Sequence, residues 1–400
     1  MFTNLDEVKV LRDPVLGYIH IEKKIIWDCI DSKEFQRLRR IKQLGGSFIV
    51  YHTAEHSRFP HSLGVYEITR RMIEDVKGLK EAINDYEEIS LLLAALLHDV
   101  GHLPFSHAFE SISGTNHEEY SKKIILEDSE VHRILAAVDE DLPSNIVKIL
   151  NHEHPNKLLS QIVSSQLDAD RMDYLLRDAY FTGTTYGEYD IGRLFRTFRI
   201  FNNKLVVKES GINSVEDYIM ARYHMYWQVY FHPVSRSFEI VLKMLFKRLS
   251  YLYNNEPRLL KGCKSFYPIF EGRELNITEH CLLDEMTCIS MFKEMSSSDD
   301  AIASDLSNRL LNRELFEHED YDSKSYESIR THLETEGLDS TYYLYVDDTM
   351  KMPYEPFSNN EIWILMKKTE TLVEIKDASV IVNSIVQGEY KKVSKIYYPK

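Results

Sequence analysis

Between Leu92 and His107 the chain reads LLAALLHDVGHLPFSH. An apolar run that closes on His98, Asp99, His102 and His107 sets imidazoles and a carboxylate at the edge of a core, where polar groups are costly unless partnered. Two residues distant in the chain fit the same chemistry: His61 in RFPHSLG and Asp170 in LDADRMDY. Together His61, His98, Asp99 and Asp170 form a set of two imidazoles and two carboxylates. Such a set suits Mn, Fe, Zn, Ni or Co better than Mg or Ca. Four protein ligands on an ion that accepts six leave positions for water and a substrate oxygen. A single histidine on an apolar helix is usually a satisfied core residue, but this cluster argues against that reading. His98 and His102 are four apart and share a helix face. His107 and Glu110 are three apart, so the carboxylate can orient the imidazole. With His117, five histidines fall between positions 61 and 117.

A second stripe supports the first. Asp170, Tyr174 and Asp178 recur every four residues with Arg171 and Arg177 beside them, opposite an apolar face of Leu167, Met172, Leu175, Leu176 and Ala179. A solvated helix face is the ordinary explanation of such a pattern. A tyrosine in the stripe departs from simple Glu/Lys pairing.

The elements that must position these groups are mostly helical. Helical spacing runs through 27–44, 63–79, 86–102, 161–183, 215–231 and 236–253, the second stopping near Gly78 and the fourth at Gly183. Alternation about the Asp13-Pro14 turn predicts a β-hairpin within residues 1–20, and Asn202-Asn203 a second over 200–208. Strand-like stretches at 341–350, 361–368, 371–375 and 391–400 predict a smaller α+β lobe over 296–400, after a helical core over 1–295.

Composition narrows the classes. The 400 residues are 44% hydrophobic, and 63 acidic against 48 basic side chains give a net charge of −15. That balance argues against a nucleic-acid partner, which needs a broad basic surface. No apolar run reaches the length of a membrane span, and MFTNLDEVKV lacks a signal pattern. Cys29, Cys263, Cys281 and Cys288 form no C-x-x-C, so they read as reduced thiols of a cytoplasmic protein.

The stretches RDPVLGYI, FQRLRRIKQLGG, HSRFPHSLGV, LLHDVGHLPFSHAFE, NHEEY and DADRMDYLLRD carry a resemblance over about residues 9–240. They resemble the HD-domain phosphohydrolases, and within them the deoxynucleoside triphosphate triphosphohydrolases, a group with a mammalian member bearing a sterile-alpha-motif domain and shorter bacterial relatives. The tail stretches DLSNRLLNRELFE and YLYVDDTMKMPYEPF look like the bacterial branch. The resemblance implies a mostly α HD-domain core and cleavage of a dNTP to deoxynucleoside and intact triphosphate by cation-activated water at the α-phosphorus. His107, held by Glu110, matches the acid that protonates the leaving 5′-oxygen. His102 and His117 match the other catalytic histidines, as ligands of the α-phosphate or of a second metal. Mg accompanies the triphosphate. Arg58, Arg171 and Arg222 match phosphate contacts, Asp178 the acceptor of the sugar 3′-hydroxyl, Tyr174 and Tyr230 aromatics flanking the sugar, and Gln43 and Leu44 contacts at its edge. Glu110 and Arg171 stand where the mammalian enzyme has Asp and Lys.

The same resemblance implies a homotetramer activated by GTP or dGTP, with Asp31, Gln36 and Arg39 matching the guanine-reading residues, Lys9 and Val10 their neighbours, and Arg193 a phosphate contact. Arg12 stands where Asn is found, and residues 200–208 align poorly. Two rival functions use the same residues: another nucleotidase or phosphodiesterase on this scaffold, and a nucleotide sensor without turnover.

Overall fold

The first two strands, Asn4–Asp13 and Gly17–Lys23, pair antiparallel about a turn tied by Asp13, whose Oδ1 accepts the N–H groups of Val15 and Leu16. The computed structural model of the chain describes residues 2–349, 354, 361–388 and 393–400. The second expected hairpin is also formed. Phe198–Phe201 pairs with Lys204–Lys208, and Asn202 and Asn203 take the positive φ angles (49° and 56°) that asparagine tolerates in a tight turn.

Three helices build the frame of the site. Arg58–Asp75 packs against both Asp85–Leu97 and Ala169–Thr182. Asp85–Leu97 begins in a capping box between Asn84 and Glu87 and is buried on all sides from Ile89 to Leu97. It therefore delivers His98 and Asp99 at the point where the apolar helix ends.

Two expected helices are broken, each by a side chain that caps. The 27–44 stretch divides into Lys24–Asp31, Lys33–Arg37 and a 3₁₀ turn at Leu38–Arg40. Ser32 donates to the Cys29 carbonyl and accepts from Phe35 N–H, closing one helix and opening the next. The 161–183 stretch divides into Lys157–Val163 and Ala169–Thr182 because Asp168 accepts from the N–H groups of Ser165 and Arg171. That break sets Asp170 in the first turn of a new helix. Gly183 ends this helix in the left-handed conformation. The 215–231 stretch runs as Ile212–Met225 and then widens into a π-helical turn, Tyr226–Tyr230. Such widened turns frequently sit at functional sites.

The apolar residues form two clusters. One fills the space between the three helices Arg58–Asp75, Asp85–Leu97 and Ala169–Thr182; the other surrounds Pro233–Asn255 and draws in the helices His107–Ser113, Glu285–Met295 and Ala301–Asn312. The fold is mostly α, with a smaller α+β portion toward the C-terminus. The strands of the tail go to two sheets. Trp363–Leu365 lies parallel to Lys204–Lys208 and carries Leu372–Glu374, while Val393–Tyr398 lies between Glu317–Asp320 and Tyr345–Thr349. Of the expected strands and tail motif, residues 350–353, 355–357 and 391–392 lie outside the described residues.

Candidate active site

His61 lies in the first turn of Arg58–Asp75, fully buried. Its Nδ1 bonds to Asp173 Oδ2 at 2.9 Å, and Asp173 is fixed in turn by two bonds of 2.8 Å from Arg177. Arg177 reaches on to Asp13 of the first hairpin at 2.8 Å. This chain orients the imidazole and leaves Nε2 as the free nitrogen, a carboxylate–histidine support typical of metal ligands. His98 is set the same way, with Nδ1 bonded to the Ala95 carbonyl at 2.9 Å. The Nε2 atoms of His61 and His98 are buried and make no hydrogen bond among the described residues, yet both face Asp170 Oδ1, at 3.1 and 3.6 Å. Lone pairs from two imidazoles aimed at one carboxylate oxygen fit a shared divalent cation. The donor atoms of His61, His98 and Asp170 all lie within 4.8 Å of one another.

Asp99 stands beside this set. Its Oδ2 is 3.5 Å from His61 Nε2 and its Oδ1 3.4 Å from His98 Nε2. Burial would raise its carboxyl, but the charge of Arg58, and after it those of His98 and His102, hold it far below the usual range. Burial likewise lowers His61, and the carboxylates of Asp170, Asp173 and Asp99 more than reverse this, raising it to about 10. The cavity therefore favours a positive charge where these residues meet.

A second group adjoins the first. His102 Nε2 is 3.3 Å from Asp99 Oδ1, and its ring stacks on His117 with centroids 3.8 Å apart. Burial and the charges of Arg58 and His117 push His102 well below its ordinary value, so it is neutral. Among the described residues, neither of its ring nitrogens has a hydrogen-bond partner. Glu110 accepts from both neighbouring imidazoles, His107 Nδ1 at 2.9 Å and His117 Nδ1 at 2.5 Å. Those bonds overcome the effect of burial and hold its carboxyl far below the usual range. The cavity between the groups, about 90 Å³, is lined by His98, Asp99, His117 and Asp170, with Glu118 and Lys122 at its wall.

The other expected contacts divide. Arg58 is engaged with Asp99 and, at 2.7 Å, with Ser106 Oγ. Arg171 bonds to Asp168 at 2.6 Å. Tyr174 lies between His61 and Tyr230, with centroids 6.5 and 6.1 Å away. Asp178 uses both oxygens, on His56 Nε2 (2.8 Å) and Tyr230 O–H (2.9 Å). Arg222 lies over the Tyr226 ring at 5.5 Å. Gln43 is buried with its Oε1 unpartnered, and Leu44 is half-buried. The six residues matched to a regulatory site occupy other elements. Lys9 and Val10 lie on the first strand and Asp31 at a helix end. Gln36 binds the Ile30 carbonyl and accepts from Arg39, which covers the Phe59 ring; Arg193 bonds to Ser214.

The sequence reading passed over several residues that hold the site. Asp173 was legible, three after Asp170 on the same helix. His56 precedes Arg58 by two and was read only as part of a motif. Arg37, fully buried, donates twice to the His102 carbonyl.

A family model of the HD domain matches residues 58–178, and a model of the HD associated region matches 189–261. The protein YwfO of Bacillus subtilis strain 168 is 43% identical over 406 residues, covering 99% of this chain and 93% of its own length. A crystal structure of a phosphohydrolase from Bacteroides thetaiotaomicron VPI-5482 superposes with a TM-score of 0.89 at 30% identity, covering 98% of this chain and 100% of that one. The chain belongs to the HD-domain phosphohydrolase family. Relatives of this HD-domain protein include the deoxynucleoside triphosphate triphosphohydrolase SAMHD1 of Gallus gallus, 28% identical over 290 residues, which cover 63% of this chain and 47% of that protein. The SAMHD1 homolog of Dictyostelium discoideum is 31% identical over 249 residues, 58% of this chain and 48% of its own. The chain spans about half the length of these two relatives. Among the described residues, no helix of this phosphohydrolase is long and apolar enough to cross a membrane.

One test of the metal support arises here. A Cβ on Gly64, one turn past His61, would stand 1.8 Å from Asp173 Oδ1 and 2.5 Å from Arg177 Nη2. Gly64→Ala is expected to displace Asp173 and weaken metal affinity by roughly 10- to 100-fold, as loss of such supports does. Titration of the metal-stripped protein with Mn checks it; unchanged affinity would show that Asp173 does not steer His61.

Proposed function

We propose that the protein hydrolyses dNTPs to deoxynucleoside and inorganic triphosphate. The observation that carries this reading is the meeting of two unpartnered imidazole nitrogens with Asp170, beside a separate His102–His117–His107 group braced by Glu110. The first group suits a cation and the second suits phosphate and proton transfer. The named activity of the SAMHD1 relatives supports the substrate class.

His61, His98, Asp99 and Asp170 would hold a divalent cation, Mn, Fe, Zn, Ni or Co. Such an ion lowers the pKa of water and draws charge from a phosphoryl oxygen. Arg58 neutralises Asp99 and keeps Ser106 in place. His102, neutral and with both nitrogens unpartnered, takes the α-phosphate or a second cation together with His117. His107 donates its proton to the 5′-oxygen as the bond from that oxygen to the α-phosphorus breaks and the bond to the water oxygen forms. Glu110 orients His107 and balances its positive charge. Arg171 and Arg222 face the triphosphate, with Mg accompanying it. Asp178, Tyr174 and Tyr230 receive the sugar; Tyr230 crowds a 2′-hydroxyl. Gln43 and Leu44 close the sugar edge.

The resemblance extends the reading to regulation: GTP or dGTP at Lys9, Val10, Asp31, Gln36, Arg39 and Arg193, a homotetramer, and action in the cytoplasm. One experiment tests substrate, metal and activator together. The purified chain is incubated with each dNTP under Mn, Fe(II), Co or Mg, with and without GTP or dGTP, and products are separated by chromatography. Equimolar deoxynucleoside and triphosphate are expected. Release of pyrophosphate or monophosphate places the protein with the other nucleotidases; binding without any product makes it a sensor.

A further inference from the structure

The turn that leads into His107 is strained. Phe105 and Ser106 are consecutive non-glycine residues with φ of 55° and 53°, and Ser106 has ψ of −125°, outside the left-handed well. Residues in such conformations persist only where their surroundings over-determine them. One residue in the surroundings comes from far along the chain. Glu285 is the first residue of the helix Glu285–Met295, beyond both segments matched to the HD family, and its side chain is 1% exposed. Its Oε1 accepts two backbone N–H groups, from Phe105 at 2.7 Å and from Lys42 at 2.9 Å. Oε2 is buried, and among the described residues no group donates to it. A carboxyl group fully withdrawn from water, with no cation bonded to it, is a costly feature unless the two N–H groups it holds matter. Burial raises Glu285 to about 7 against the pull of those two donors.

What the two N–H groups hold is the link to the site. The Lys42 carbonyl accepts from Ser106 Oγ at 2.7 Å; Ser106 Oγ accepts from Arg58 Nε; Arg58 Nη1 binds Asp99. The ring of Phe105 stacks on Phe292 of the same helix as Glu285, with centroids 6.4 Å apart. We propose that Glu285 is a positioning residue that clamps residues 42 and 105 together, fixing the strained turn so that Arg58 stays on Asp99 and His107 enters the cleft. The proposal rests on the reading that the cleft hydrolyses a phosphoester.

The test compares Glu285→Leu, which removes the acceptor, with Glu285→Gln, which keeps one. Hydrogen exchange of the full chain is measured by mass spectrometry. In Glu285→Leu, peptides covering residues 40–46 and 103–110 are expected to exchange at least roughly tenfold faster, while Arg58–Asp75 and Ala169–Thr182 stay protected. Its kcat falls by about 10- to 100-fold with KM near the wild-type value, and Glu285→Gln restores both exchange and turnover. Exchange unchanged in both peptides, exchange raised through the whole chain, kcat unaltered, or no rescue by Gln each overturns the clamp. If the wild type leaves every dNTP intact, the substrate reading alone fails. The clamp is then judged on exchange and on hydrolysis of bis(4-nitrophenyl) phosphate.

Discussion

Asp170→Ala is expected to strip the protein of its divalent metal and lower hydrolysis by at least about 10³-fold, the rate equivalent of several kcal/mol of lost charge stabilisation. Asp170 Oδ1 is the oxygen that the Nε2 atoms of both His61 and His98 face. Without it, two imidazoles remain with Asp99, and Asp99 is already engaged by Arg58. Burial would raise the Asp170 carboxyl, but His61 and His98 hold it far below the usual range. The variant should still fold. Asp170 sits in the first turn of its helix, where Asp168 supplies the cap, and the apolar face beneath is untouched. Elemental analysis after dialysis gives the metal content. A rise in Tm on adding Mn, about 2.7 kcal/mol of stabilisation at a hundredfold excess over Kd in a competent site, should be present in the wild type and absent in the variant. A variant with full metal and wild-type turnover would remove Asp170 from the ligand set.

The candidate ligand residues could be picked out because most stand in a local pattern. His98-Asp99 closes an apolar helix, and Asp170 stands in the charge-rich stretch LDADRMDY. The hairpins were legible from Asp13-Pro14 and Asn202-Asn203, whose turn preferences act within four residues. The helix breaks at Ser32 and Asp168 were harder. Apolar periodicity continues across both, and only the side-chain bonds to the backbone decide where one helix stops. The strands at 363–365 and 372–374 were legible as strands but not as partners of Lys204–Lys208, because alternation fixes which face is buried and not which edge is met. Glu285 carried no signal at all. Its partners lie 180 and 243 residues away, and a glutamate at a helix start reads as a residue favoured there by the helix dipole.

His107→Ala is expected to lower kcat on dNTPs by about 10²- to 10⁴-fold with little change in KM, the range lost when a positioned acid is removed. The prediction separates a proton donor from a merely structural histidine, because His107 contributes little to the core: its side chain is 70% exposed, and its ring stands 5.2 Å from His102 and 5.3 Å from His117. Its Nδ1 is taken by Glu110, so Nε2 is the atom that can face a leaving oxygen. A deoxynucleoside 5′-oxygen leaves poorly without a proton, whereas 4-nitrophenolate leaves without one. On a 4-nitrophenyl phosphodiester the loss in His107→Ala should therefore shrink to less than about tenfold. Glu110→Gln keeps the shape of the support and removes its charge. It should give the same leaving-group pattern with a smaller loss, since the imidazole stays in place and only its partner's charge is gone. Equal losses on both substrates would assign His107 to phosphate binding, and the proton would then have to come from His117, the other imidazole that Glu110 holds.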